Sequence, residues 1–339
     1  MKIVVTGAGG HIGACLVRRL ITEGHEVLAI SRHASRAPAL TDLPIRTRDI
    51  DIRDTPALQK AFARADRVYH LAARISITGG QRGQVRSVNV DGAFSVARAA
   101  LAAEVPRFIH VASIHAFAQS PFHEPLDETR HRVTDPKAPS YDRSKALGEK
   151  AVRNLLSSGL DAVFAYPCGV IGPFDFNRSF LGQTILKIFQ GKLPATVQGG
   201  FNWVDVRDIV DGLIRIGDFG VKGEGYLLGG SYRSVKELAL EAARAAQIAP
   251  PFFNTPYWLA KLVAPLALRI DRMRRVTPLF TPDSIAALRS NPQIIDQKAR
   301  LDLGYRSRPL EETLRDTYSW WVAQGVLPAL SHHTSLTEW

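Results

Sequence analysis

Tyr141 and Lys145 stand four positions apart, a spacing that on a helix sets a phenol and an amine on one face, a turn from each other. A free tyrosine, with a pKa of about 10, exchanges protons slowly at neutral pH. A cation one turn away favours its phenolate, and the pair then has what proton transfer to or from a carbonyl oxygen needs. Alone the spacing says little, because Tyr-x-x-x-Lys arises by chance roughly 0.26 times in a chain of this composition. A second chemical element stands far upstream: Thr6-Gly7-Ala8-Gly9-Gly10-His11-Ile12-Gly13. Glycines there let a backbone turn approach a pyrophosphate, and the N-terminus of a following helix stabilises its charge.

The elements that must hold these groups are written on either side of them. Lys2 to Val5 is a short apolar, β-branched run, which predicts a buried strand. Ile12 to Glu23 carries apolar residues at 12, 16, 17, 20 and 21, the period of a helix, and Gly24 marks its stop. Glu26 to Ile30 predicts a second strand. Further strands are expected at Arg67–Leu71, Arg107–Ala112 and Asp161–Tyr166, with helices at Val85–Glu104 and Tyr141–Leu156. Strand–helix alternation to about residue 165 implies a doubly wound parallel sheet of Rossmann type, with ligand at the strand C-terminal ends. Residues 119–140, rich in Pro, Asp, Glu and His, read as an exposed loop before the Tyr141 helix. Beyond Gly172 the pattern turns irregular and rich in proline. The expected division is therefore 1–172, with about 200–225 interleaved, for the dinucleotide-binding unit. Residues 173–199 and 226–330 form a smaller C-terminal substrate lobe, and 331–339 a frayed tail.

Composition narrows the class. The 339 residues include two cysteines, Cys15 and Cys168, so no disulfide framework is expected and a reducing cytoplasm is. With the first strand read from Lys2, no signal peptide is expected, and no apolar run reaches the roughly 20 residues of a membrane span. The formal charge of +11 raises the question of polyanion binding. The basic residues are scattered and no nucleic-acid motif accompanies them, so the expected partners are small molecules, with an anionic cofactor favoured by the charge and no metal.

Taken in order, further motifs follow: Asp51-Ile52-Arg53-Asp54, His70-Leu71-Ala72-Ala73, Asn89-Val90-Asp91-Gly92, Ser113, Pro167 to Pro173, and Leu303-Gly304-Tyr305. With the glycine turn and Tyr141/Lys145, the chain resembles the extended short-chain dehydrogenase/reductase family (the NAD-dependent epimerase/dehydratase superfamily) over most of its length. The resemblance implies that Tyr141 transfers the proton, Lys145 tunes it and holds the nicotinamide ribose, and Ser113 hydrogen-bonds the substrate oxygen. It implies cofactor contacts at Gly7, Gly10, His11, Ile12, Gly13, Leu71, Ala72, Ala73, Pro167 and Val170, with Asp51 and Ile52 near the adenine. Asn89 either holds the cofactor loop or faces solvent. Paired helices make a homodimer the expected assembly, by analogy of fold.

Cofactor choice is read after the second strand. An acid there would accept from an adenosine ribose and repel a 2′-phosphate; this chain has Ser31-Arg32, with Arg36 close behind. Guanidinium groups suit a phosphate, so NADP is expected rather than NAD. Sugar dehydratases of the family need acids just after the serine position, where this chain has Ile114-His115. The arginine that grips a nucleotide-sugar diphosphate is missing around Phe201-Asn202-Trp203. The nearest branch thus looks like that of dihydroflavonol reductase and 3β-hydroxysteroid dehydrogenase, with a carbonyl on a hydrophobic skeleton. His115, Phe174, Phe201 and Trp203 are candidate substrate contacts, and Phe176, Phe252, Phe253, Tyr257 and Trp258 complete an aromatic lobe. His115 is equally readable as a packed loop histidine, and at least half of the aromatics as plain core. Three classes stay open: a reversible NADPH-dependent carbonyl reductase, a sugar epimerase that retains its NAD, and a non-catalytic NADP-binding scaffold or sensor.

One segment carries two readings. Phe252 to Leu268 is largely apolar, and Arg269 to Arg275 is strongly basic. It suits a lid over an apolar substrate or, through 252–275, a weak peripheral contact with anionic lipid. The lid is favoured, because Pro256 and Pro265 should interrupt a continuous surface helix.

Overall fold

In the computed structural model, which describes residues 1–274 and 276–330, the expected alternation produces one parallel sheet. Its first six strands are β1 (Lys2–Thr6), β2 (Glu26–Ser31), β3 (Arg46–Asp49), β4 (Arg67–His70), β5 (Arg107–Val111) and β6 (Ala162–Pro167). The chain then leaves the sheet for β7 (Gly169–Ile171), β8 (Ala195–Val197) and β9 (Gly200–Asp205), and returns as β10 (Gly225–Leu228). The spatial order is β3-β2-β1-β4-β5-β6-β10, every pair parallel. Strand order reverses between β1 and β4, the crevice where this architecture binds ligands. β4, β6 and β10 are buried along their whole length, as helices on both faces require. Since β10 is the seventh strand, the sheet unit runs past the boundary expected near 225. Leu303 and Tyr305 also join its core, Tyr305 donating its hydroxyl to the Gly229 carbonyl at 2.7 Å.

The lobe has a separate core. β9 pairs with β7 on one side and β11 (Ser231–Ser234) on the other, and β8 pairs with β12 (Phe253–Thr255). Helices Phe180–Phe189, Val235–Ala245 and Leu310–Ala323 pack together beside them. Helix Val235–Ala245 begins with a full capping box, Ser234 with Glu237, which satisfies two orphan N–H groups reciprocally.

Three local expectations need revision. The predicted helix Val85–Glu104 is continuous over residues 84–102 but not uniform: Gln84–Arg86 is α-helical, Ser87–Gly92 widens to a π-helix, and Ala93–Ala102 is α-helical again. The segment 119–140 is not simply exposed, for Leu126 is fully buried and joins its backbone to Gln293 and Ile295. Pro265 does not interrupt its segment either, because a 17-residue helix, Tyr257–Met273, runs straight through it. Pro265 lies on the exposed side, where water can meet the carbonyl that a proline leaves unpaired. No helix among the described residues is long and apolar enough to cross a membrane. The tail 331–339 lies outside the described residues.

Candidate active site

β1 ends in the glycine turn. Gly7 adopts φ +72°, and a Cβ placed on it would lie 2.6 Å from the Ala72 nitrogen, so only glycine lets this turn pass so close to the loop after β4. A Cβ on Gly13 would stand 2.3 Å from the Gly7 carbonyl. Helix His11–Thr22 starts at Gly10 with no side-chain cap and no acid in its first turn, leaving its first N–H groups for an anion. His11 is engaged through Nε2 with the Pro173 carbonyl at 2.9 Å.

The acid–base pair enters from helix Ser140–Arg153. Lys145 is buried and donates from Nζ to the Val111 carbonyl at the end of β5, 2.9 Å away, which docks the helix on the strand that delivers Ser113. An ammonium has three donors, so two remain for a ligand. Burial lowers the Lys145 pKa to about 8, against an opposing pull from the Glu149 charge. Burial raises Tyr141 to about 12; hydrogen bonding toward Ser113 opposes the rise and the Asp142 charge adds to it. Ser113 Oγ accepts the His115 N–H at 3.2 Å. Beneath the site, burial lowers His70 to about 3, with the Lys145 charge adding to the shift. The neutral ring shares a 2.8 Å hydrogen bond with Thr6 and brings no competing cation.

Two supports were invisible in the sequence. Glu149, one turn beyond Lys145, accepts both guanidinium nitrogens of Arg132 at 2.9 Å, Arg153 at 2.7 Å and the Tyr166 hydroxyl at 2.7 Å. Arg132 also lies 3.8 Å over the Phe117 ring, which fastens the 119–140 loop to the catalytic helix. Asp142 sits 3.4 Å from His115 Nδ1. Burial would lower the His115 pKa, but this carboxylate outweighs burial and raises it. The His115 ring meets Tyr141 edge-on at 6.0 Å. Glu149 and Arg153 stand at i,i+4 on one helix, but no spacing announces the contacts of Arg132 with Glu149 or of His115 with Asp142.

A single cavity of about 750 Å³ joins these groups. Gly7, Gly10, His11, Ile12, Gly13, Leu71, Ala73, Pro167 and Val170 line its cradle end, and Ser113, His115, Tyr141 and Lys145 its middle. Phe201 and Trp203 stand on the far wall, T-shaped at 5.1 Å, with Trp203 Nε1 donating to the Arg233 carbonyl at 2.9 Å. Leu181, Leu193, Val197, Leu238 and Phe280 share that wall; none belongs to a motif.

Other expected contacts are placed elsewhere. Phe174 does not line the cavity: it packs with Phe176 against Trp320 in the lobe core, with Arg18 over both rings. Phe252, Phe253 and Trp258 are solvent-exposed. Asn89 faces inward, 4 % exposed, and clamps the loop after β4 by accepting the Arg74 N–H at 2.7 Å and donating to its carbonyl at 3.0 Å. Asp51 is held by both ends of Arg53, whose hydrogen bonds lower it to about 2, and Ile52 is buried against Gly92. Ser31 is half-buried at the end of β2, while Arg32 and Arg36 are exposed and in no ion pair among the described residues.

Cradle, bare helix N-terminus and acid–base pair together fit a nicotinamide dinucleotide. Residues 3–229 match the NAD-dependent epimerase/dehydratase family. The chain belongs to that family. Three similar proteins match this chain over nearly their whole lengths. Sterol demethylase protein B of Methylococcus capsulatus is 31 % identical, over 96 % of this chain and all of the relative. A putative dihydroflavonol 4-reductase of Synechocystis is 26 % identical over 95 % of each. The crystal structure of gox2253 superposes with a TM-score of 0.83 at 27 % identity, over 96 % of this chain and 99 % of that one. The resemblance to extended short-chain dehydrogenases, the Rossmann sheet and an enzyme acting on CH–OH or carbonyl groups with a nicotinamide dinucleotide all stand on these findings.

Proposed function

We propose that this enzyme is an NADPH-dependent oxidoreductase that reversibly reduces a ketone or aldehyde on a hydrophobic substrate. The observation that carries the reading is the cavity itself, in which Tyr141, Lys145 and Ser113 lie between the glycine cradle and a wall of Leu181, Leu193, Val197, Phe201 and Trp203. Bound there, the dinucleotide supplies or accepts a hydride. The chain does the rest. Tyr141 Oη gives its proton to the substrate oxygen in reduction and takes it back in oxidation. Lys145 holds positive charge near that phenol, using one proton on Val111 and two for the cofactor ribose. Ser113 Oγ donates to the substrate oxygen, a preorganised dipole aimed at the charge that develops.

NADP is favoured by what surrounds Ser31. Arg32 and Arg36 present unpaired charge, and the neighbouring acid, Asp49, is occupied by the N–H and hydroxyl of Ser35 at 2.9 and 2.7 Å. A cytoplasmic home and a homodimer belong to the same proposal; the first rests on two free thiols, the second on analogy of fold. The similarity to a protein named as a dihydroflavonol 4-reductase supports the reductase branch. The test is purification, analysis of bound cofactor, and assay with NADPH against ketones of increasing apolar bulk. Exchangeable NADPH and a kcat/KM that rises with bulk are expected. Retained NAD with turnover of UDP- or GDP-linked sugars establishes an epimerase instead, and binding without turnover a scaffold.

A further inference from the structure

The lid and lipid readings of 252–275 concern opposite faces of one helix. On the inner face of Tyr257–Met273, Ala260 and Ala264 are buried against Ile285, with Val197, Phe280 and Leu288 beside them. Asp271 on that side lines the catalytic cavity, as do Val276, Thr277 and Leu279 just beyond the helix. The helix therefore borders the cavity through Asp271. Its outer face is different. Trp258, Leu262, Leu266 and Met273 fall on one stripe at helical spacing, and Phe252 and Phe253 adjoin it; all six are 61–90 % exposed. A contiguous apolar patch of this kind on a water-soluble surface marks an interaction site.

The charges say with what. Arg269 lies within the stripe, while Lys261 and Arg272 flank it along one edge and Arg274 follows the helix; all four are exposed. The one acid of the helix, Asp271, points the other way, into the cavity. Long basic side chains beside a large apolar stripe rest their stems on hydrocarbon and their cations on phosphate. We propose that the outer face of Tyr257–Met273, with Phe252 and Phe253, docks the enzyme on an anionic phospholipid surface and sets this border of the cavity against the lipid. The docking rests on this face alone. That a substrate passes from the lipid into the cavity rests additionally on the reductase reading.

Sedimentation of the full-length protein with vesicles tests the docking without any turnover. Phosphatidylcholine vesicles containing phosphatidylglycerol should bind it about tenfold or more better than phosphatidylcholine alone, and high salt should erase the preference. The double variant Leu262→Asp/Leu266→Asp should lose about tenfold or more of that binding while still binding NADPH, which shows that it is folded. Should it fail to fold, Arg269→Glu/Arg272→Glu, confined to exposed positions, should show the same loss through charge. No binding to anionic vesicles overturns the proposal, as does unchanged binding by a folded variant. A wild-type dimer that the aspartates dissociate, with no vesicle binding, overturns it in favour of a second copy covering this face. Loss of reductase activity with vesicle binding intact leaves the docking standing and removes only substrate transfer.

Discussion

Glu149→Gln is the sharpest probe of how the catalytic helix is held. The carboxylate is almost fully buried and receives two arginines and a phenol. Burial alone would raise its pKa, yet Arg132 and Arg153 outweigh burial and hold it below the ordinary carboxylate value. Removing one member of a buried ion pair costs about 3–5 kcal/mol. The two guanidiniums are 27 % and 32 % exposed, so water can partly rescue them and the low end, about 3 kcal/mol, is expected. Urea unfolding at neutral pH measures it. A group whose folded pKa is depressed stabilises above its unfolded value and loses that contribution as pH falls through the folded one, so the difference between wild type and variant should shrink in acid. A second readout is catalytic. Glu149 opposes the burial that lowers Lys145 to about 8; without it the ammonium loses its proton more readily, and the alkaline limb of kcat/KM should move to lower pH. A loss below about 1 kcal/mol together with an unmoved alkaline limb would refute the claim that this charge cluster holds and tunes the site.

Other perturbations separate the parts. Tyr141→Phe should leave NADPH binding intact and reduce turnover by about 10²-fold or more; near-wild-type rates would remove Tyr141 from proton transfer. Arg32→Ala should weaken NADPH by on the order of 1.5–3 kcal/mol and NADH little, as titration of cofactor fluorescence would show; equal affinities in the wild type contradict the phosphate assignment. Gly13→Ala places a Cβ 2.3 Å from the Gly7 carbonyl and 2.8 Å from Ala8 Cα. It should cost about 1–3 kcal/mol of stability and most dinucleotide binding, read by thermal shift with and without NADPH; a full ligand-induced shift would show that the cradle tolerates the methyl.

What could be read from the sequence was what repeats over short range. The glycine turn, the β-branched strands and the Tyr141/Lys145 spacing are local patterns, and each appears where expected, with helix Ile12–Glu23 observed as His11–Thr22. What escaped was long-range pairing. β8 and β12 meet in register across the lobe, joining segments with no shared period. Arg132 reaches Glu149, and His115 reaches Asp142, across turns that no spacing rule describes. Proline misled in one direction: at 265 it reads as a breaker, but on an exposed face, where the freed carbonyl is open to solvent, the helix continues. Aromatics misled in the other, since composition shows that a lobe is rich in rings without showing which side they face.

The π-helical turn ties the loop after β4 to the helix that carries Tyr141 and Lys145. Within Ser87–Gly92 the backbone is wound wider than an α-helix, and Asn89 turns inward to hold the Arg74 backbone while donating to Ser144 Oγ at 2.8 Å. Ser144 in turn donates to the Tyr141 carbonyl at 2.7 Å, and a Cβ on Gly148 would meet the Asn89 carbonyl at 2.2 Å. The loop that borders the cofactor and the helix that carries the acid–base pair are thus in backbone contact, with no room for one to shift without the other. The far wall comes largely from the lobe: Leu181, Leu193 and Phe201 pack against the lobe core, and Val197 packs beside Ala260 and Ala264. On the proposed reductase reading, the first set would serve the chemistry and the second the substrate. The family match over residues 3–229 covers the glycine cradle, Ser113, Tyr141 and Lys145, and Leu181, Leu193, Val197 and Phe201 of the wall as well. Leu238 and Phe280 of the same wall lie in the part of the lobe that the match does not reach.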